Sequence, residues 1–378
     1  QALGPGEPFS AGTVSLARAA SADEWLQSLT LFGLYLSAAR ILRGNAHRRR
    51  LLVVMAVVGT MQALYGVGMT LTGREMGFFA HKWSGLGWAT GTFVNRNHFA
   101  HLLALAGAAA LALLLTRPAK AVSQGGWRRV AIGVIDWLMS PALVWRALVL
   151  ILLAGVVVSQ SRMGNVAFVL ALAAGLMAWT LLHGRRHLVA TLLLVASFVV
   201  ADLWIVDHYY GLERVVQRID QTDLGQEQRA VALRDLAPLI ETYALTGSGG
   251  GSFRSLFMPV QSRELTGFYD HAHNEYAEFA IEHGVFGLVW MLLIGLLHAA
   301  HAIRLVHYRR SVGARALGLA AVMALTAVAI HATADFVLHI PALRFWLVAL
   351  LGAVAGATAN PYSSGRGLAP GSHGPDQP

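Results

Sequence analysis

The chain has 378 residues, 56% of them hydrophobic and only 13% charged, with a mean hydropathy of +0.54. That balance excludes an ordinary soluble domain or a disordered chain and places the sequence in the polytopic membrane class. The net charge of +9 gathers at particular connections, which argues against a nucleic-acid groove, and the absence of cysteine excludes disulfides and thiolate metal sites.

Residues 1–20 are loose, small and Gly/Pro-containing. The chain opens at Gln1 with neither an initiator Met nor a signal-peptide pattern, as expected of a mature or truncated chain with earlier helices missing. Ser21-Ala22-Asp23-Glu24 then has capping-box spacing, with Trp25 placed to anchor at the interface. Nine apolar runs follow, at 25–42, 51–71, 98–116, 142–160, 164–182, 188–206, 284–303, 317–334 and 343–360. Each reaches or approaches the ~20 residues that cross a hydrocarbon core. The predicted fold class is therefore an all-α polytopic membrane bundle of about nine spans, with an outer helical segment between spans six and seven.

Residues 43–50, 117–129, 185–186 and 304–315 are rich in Arg and Lys and contain no Asp or Glu, and they alternate with connections that hold most of the carboxylates. The positive-inside rule makes these clusters cytoplasmic and puts residues 72–97, 161–163, 207–283 and 335–342 outside. The expected organisation is membrane helices over 1–206, an outer region over 207–283, membrane helices over 284–360 and a cytoplasmic tail over 361–378.

On the outer side, Gly91-Thr92-Phe93-Val94-Asn95-Arg96-Asn97-His98-Phe99-Ala100 opens the third span. Asn95 or Asn97 is expected to cap that helix, which leaves the other Asn and His98 without a local explanation. Residues 130–141 are apolar but short, and are expected to lie along the inner interface. Spans four and five meet in the turn Ser159-Gln160-Ser161-Arg162-Met163-Gly164, where a tight reversal restricts snorkelling and favours an inward, functional Arg162. Gln226 to Tyr243 reads as an amphipathic helix carrying Arg229. In Gly247-Ser248-Gly249-Gly250-Gly251-Ser252-Phe253-Arg254, two readings stand level: a phosphate cradle or a flexible connector.

Asp270 to Gly284 packs three histidines and four carboxylates into fifteen positions. Asp335 and His339 lie near the outer end of another span. Polar groups thus converge on the outer surface, not on the bilayer midplane that a transporter would use. Arginine forks match phosphate oxygens, and a neutral imidazole can take a proton from a hydroxyl. Together they suit transfer of a group from a lipid diphosphate to a hydroxyl, with Arg162, Arg229 and Arg254 for the diphosphate and His273 as the base. His271 and Asn274 are read as positioning groups and the glutamates as the wet face of the helix. Asn97, His98, Glu275, Asp335 and His339 are candidates for positioning or for the acceptor. A divalent ion held by the HxH pair with Asp270 and Glu275 is the minority alternative, and no metal or other cofactor is expected. A flippase and a non-catalytic assembly scaffold are the alternatives from other functional classes.

The strings at 91–100, 159–164 and 246–253, followed by HAHNEYAEFAIEHGVFG at 271–287 and DFVLHIPA at 335–342, resemble the O-antigen ligase and polysaccharide polymerase superfamily. The resemblance implies a membrane glycosyltransferase of the GT-C type in the bacterial inner membrane, facing the periplasm. It implies an undecaprenyl-diphosphate-linked glycan as donor and, as acceptor, a lipid A core sugar for a ligase or another lipid-linked glycan for a polymerase. His273, with His271 beside it, matches the family's proposed base, and Arg162 and Arg229 match the arginines thought to engage diphosphate.

Overall fold

The computed structural model describes residues 15–77, 79–117, 142–184, 223–265 and 269–359, with isolated helical positions at 196 and 200. The helices are α1 (Arg18–Ile41), α2 (Asn45–Thr72), α3 (Arg96–Leu115), α4 (Ala142–Val158), α5 (Arg162–His183), α6 (Asp223–Thr242), α7 (Phe253–Phe257), α8 (Glu275–Tyr308), α9 (Val312–His331) and α10 (Pro341–Ala359). A two-residue hairpin, Met76–Gly77 with Ala80–His81, lies between α2 and α3, and a 3₁₀ turn, Val337–His339, precedes α10.

Among the described residues, six helices are long and apolar enough to cross a membrane: α2, α3, α5, α8, α9 and α10. This makes the chain a multi-pass membrane protein and corrects the expected nine spans. The run at 142–160 folds as the 17-residue α4. At 1.5 Å per residue it covers only about 25 Å, short of the ~30 Å core. The run at 25–42 is helical, but α1 also takes in Arg18, Asp23, Glu24 and Arg40, and it is not among those six helices. The run at 188–206, the segment at 130–141 and the tail at 361–378 lie outside the described residues.

The core is built around α3, whose Ala- and Leu-rich sequence is buried on nearly every side. Around it pack α2, α4, α5 and α9, while α1 lies along α10. Small residues set these distances: a Cβ at Gly59 would strike Ala106, and one at Gly356 would strike Ala39 of α1. Close backbone approach is what lipid-embedded helices use in place of a hydrophobic driving force.

Four helices, α3, α5, α8 and α10, begin at the same end of the bundle, linked there through hydrogen bonds of Asn97, Ser161, Glu275 and Asp335 with their surroundings. A small satellite core joins α6, α7 and the start of α8 through Leu236, Phe253, Phe257 and Ile281. The amphipathic helix expected at 226–243 is thus present, displaced by a few residues to Asp223–Thr242.

The capping box expected at Ser21 does not form. α1 starts at Arg18 after Ala17, and the Ser21 hydroxyl donates to the Gly250 carbonyl at 2.5 Å. Ser21 holds the glycine-rich turn segment instead of a helix end.

Candidate functional site

At the shared end of the bundle, Asn95 caps α3 by accepting a hydrogen bond from the Asn97 backbone at 2.8 Å. This frees the Asn97 side chain to bridge two other elements. Its amide donates to Asp335 Oδ2 at 2.5 Å, and its carbonyl accepts from the Ser161 hydroxyl at 2.7 Å. Ser161 itself caps α5, immediately before Arg162.

Asp335 is fully buried and receives three contacts on Oδ1: His273 Nδ1 at 3.2 Å, the Phe336 amide at 2.9 Å and His98 Nε2 at the ionic distance of 3.8 Å. Burial alone would raise this carboxyl. The His273 and His98 rings more than offset that, through hydrogen bonding and charge, and hold it below the ordinary carboxylate range.

His271 repeats the arrangement. Its Nδ1 lies 2.7 Å from Glu278 Oε1, while Glu278 Oε2 accepts from the Ala272 amide at 2.8 Å. The two carboxylates sit 0–2% exposed beneath rings that are 30% and 26% exposed, so the histidines are the groups that can meet a substrate. Between them stands Phe336, stacked on His271 at 4.3 Å between centroids and edge-on to His273 at 5.0 Å.

His273 has φ +48, a left-handed conformation that costs a non-glycine residue on the order of 1 kcal/mol or more. That conformation lies one residue before Asn274, whose side chain accepts from the Tyr276 and Ala277 amides and starts α8. Asn274 is therefore a helix cap.

The glutamates do not form a wet face, contrary to expectation. Glu275, Glu278 and Glu282 are only 1–4% exposed. Their i, i+3, i+7 spacing puts them on one side of α8, the side turned inward, and that periodicity was available in the sequence. Glu275 accepts from the Leu338 amide and lies 3.1 Å from His339 Nδ1; His339 Nε2 is 3.5 Å from Glu278. Burial opposes protonation of His339, but its contact with Glu275 and the charges of Glu278, Glu275 and Glu282 raise it to about 9. These contacts favour the imidazolium form of His339 beside Glu275 and Glu278.

The three predicted arginines are not brought to one point by any described contact. Arg162 is exposed at the start of α5, beside Ser161. Arg254 is exposed on α7, which reaches His273 through a chain of rings, Phe257 to Tyr269 at 6.2 Å and Tyr269 to His273 at 5.7 Å. Arg229 lies on α6, and its side chain is outside the described residues.

The glycine-rich segment is held against α8 by its own amides. Its Ser248 and Gly249 amides donate to the carbonyls of Ile281 and Glu282 at 2.9 Å, and the Phe253 amide donates to Glu282 Oε1 at 2.9 Å. Those carbonyls are exposed by a break in α8 at Gly284, φ 63 and ψ −171. The Gly247, Ser248, Gly249, Ser252 and Phe253 amides are thus committed to protein acceptors.

Nor does the HxH pair act as one chelate, since its two rings turn to different carboxylates. His271, Glu278 and His339 do bring one donor atom each within 4.8 Å of one another, a spacing a divalent ion could use. In the described arrangement the His271 and Glu278 atoms pair with each other.

Residues 147–292 match the O-antigen ligase family. No curated relative matches the chain significantly. The matched segment contains α5 to α7 and the first half of α8, hence Arg162, Arg254, His271, His273 and Glu278. Asn97, His98, Asp335 and His339 lie outside it, so the carboxylate that holds His273 comes from beyond the family-matched segment.

Proposed function

We propose that the protein transfers a glycan en bloc from undecaprenyl diphosphate to an acceptor hydroxyl on a lipid A core sugar, as an O-antigen ligase. The observation that carries this reading is the His273–Asp335 pair, at 3.2 Å, within a cluster of histidines and carboxylates at one end of a membrane bundle. With Nδ1–H donated to Asp335, His273 presents Nε2 as the acceptor for the hydroxyl proton, and Asp335 stabilises the imidazolium that results. The acceptor oxygen then attacks the anomeric carbon, the sugar–phosphate bond breaks and the diphosphate leaves with its charge.

Arg162 and Arg254, with Arg229, are the groups that would hold that diphosphate, and the helix N-termini of α3, α5 and α8 add positive partial charge at the same end. No step requires a metal. The basic clusters at the opposite end support a cytoplasmic assignment for them and a periplasmic one for the site. In this reading the outer region over 207–283 carries the base, between membrane portions over 1–206 and 284–360.

The test is complementation of a deletion strain with His273→Ala, Arg162→Ala and Asp335→Asn. Loss of the base should reduce transfer by about 10²–10⁴-fold, with full-length lipid-linked chains accumulating. Normal surface glycan in all three at normal protein level would sink the proposal, and accumulation of single repeats would replace ligase by polymerase.

A further inference from the structure

The end of the bundle opposite the histidine cluster holds a cavity of about 460 Å³ lined by His301, Arg304, Tyr308, Arg309 and the last residues of α10. Nothing in the glycan-transfer reading uses it. Among the described residues at this end, 40–50, 301–315 and 349–359 contain no Asp or Glu.

Part of the positive charge has a local purpose. Arg309 donates to the carbonyls of Ala357 and Thr358 at 3.0 and 3.1 Å and so satisfies the end of α10. The remainder is in excess. Arg48, at the same end but not among the cavity's lining residues, is 1% exposed and gives its Nε to the Leu42 carbonyl. His301 has a buried Nδ1 with no partner among the described residues, and it lines the cavity. A buried ring nitrogen without a partner, in a cavity whose charged lining residues, Arg304 and Arg309, are both cationic, suits an anionic ligand.

We propose that this cavity binds a phosphate-bearing anion, the headgroup of an acidic phospholipid. A volume of about 460 Å³ is of the size that takes a small-molecule ligand. Next to it, α8 presents Leu296, Leu297 and Ile303 at 45–66% exposure, an apolar surface on which acyl chains can lie. Arg304 and His301 contact the phosphate, and Tyr308 offers a hydroxyl at the rim.

The experiment uses the full chain in nanodiscs containing phosphatidylglycerol and phosphatidylcholine, reading retained lipid by native mass spectrometry and stability by thermal midpoint. The wild type is expected to retain phosphatidylglycerol selectively, and Arg304→Gln to retain it about fivefold less, with partial recovery in Arg304→Lys. Arg310→Gln, an exposed neighbour outside the cavity, is expected to behave as wild type. Inorganic phosphate alone reproducing the midpoint shift would support the anion site with free phosphate as its occupant. Equal retention of phosphatidylcholine, unchanged retention in Arg304→Gln, or an equal loss in Arg310→Gln would each overturn the proposal.

Discussion

His273 and His339 sit close together with opposite assignments, and their surroundings explain the difference. His273 faces one carboxylate and is 30% exposed; His339 lies among Glu275, Glu278 and Glu282 and is 17% exposed. The His339 pKa is raised to about 9, above the 6.5 of a free histidine. A raised folded value means that its contribution is fully present below about pH 6.5 and is lost as pH rises through about 9. Thermal stability should therefore fall between about pH 7 and 9, and His339→Gln should lower the midpoint at pH 6 while flattening that slope. An unchanged slope in the variant would show that another group carries the dependence. Asp335 acts in the opposite sense: its lowered folded pKa gives stability that is present above the ordinary carboxylate value and lost as pH falls below it.

At the scale of elements, the break in α8 decides what the first turns of that helix can do. Gly284 interrupts the helix and frees carbonyls that the turn segment at 248–249 takes up. Both sides of the junction exclude a side chain: a Cβ on Gly247 would strike the Glu282 carbonyl, and one on Gly284 the Leu245 carbonyl. Both residues also have positive φ. Gly284→Ala is expected to destabilise the protein by about 1–3 kcal/mol and to expose residues 244–252 to protease, because the strain has no nearby relief. Wild-type melting and an unchanged digestion pattern would refute this brace. Glycine spacing marked the stretch in the sequence, but the spacing is shared by a phosphate cradle, a connector and a brace. Only knowing which carbonyls are unpaired nearby separates the three.

At the scale of the molecule, the site is assembled from four stretches far apart in the chain, around residues 97, 161, 273 and 335. Its buried carboxylates are each met by histidine rings or backbone amides. Glycan transfer should accordingly persist in a chelator, assayed with purified protein and lipid-linked donor. Loss of activity restored by one divalent ion would favour a bound metal at His271, Glu278 and His339 over the ion pair.

The sequence by itself determined the membrane class and most of the polar residues that meet at the shared end of the bundle. Apolar runs, clustered arginines and an HxH string are local patterns that need no partner to be recognised. Other readings failed, among them the span at 142–160 and the wet face of glutamates. An apolar run at 142–160 does not state how much of itself will be helical, and α4 ends after 17 residues because the chain reverses at Ser159 to Ser161. Glutamates at a helix start read as solvated until Leu338 and His339 are known to lie against them. The tertiary structure alone decided which carboxylate serves which histidine. Asp335 and Glu278 are equally plausible partners for His273 in sequence, and the choice rests on the left-handed turn at His273 together with the packing of the 335–339 turn against α3 and α8.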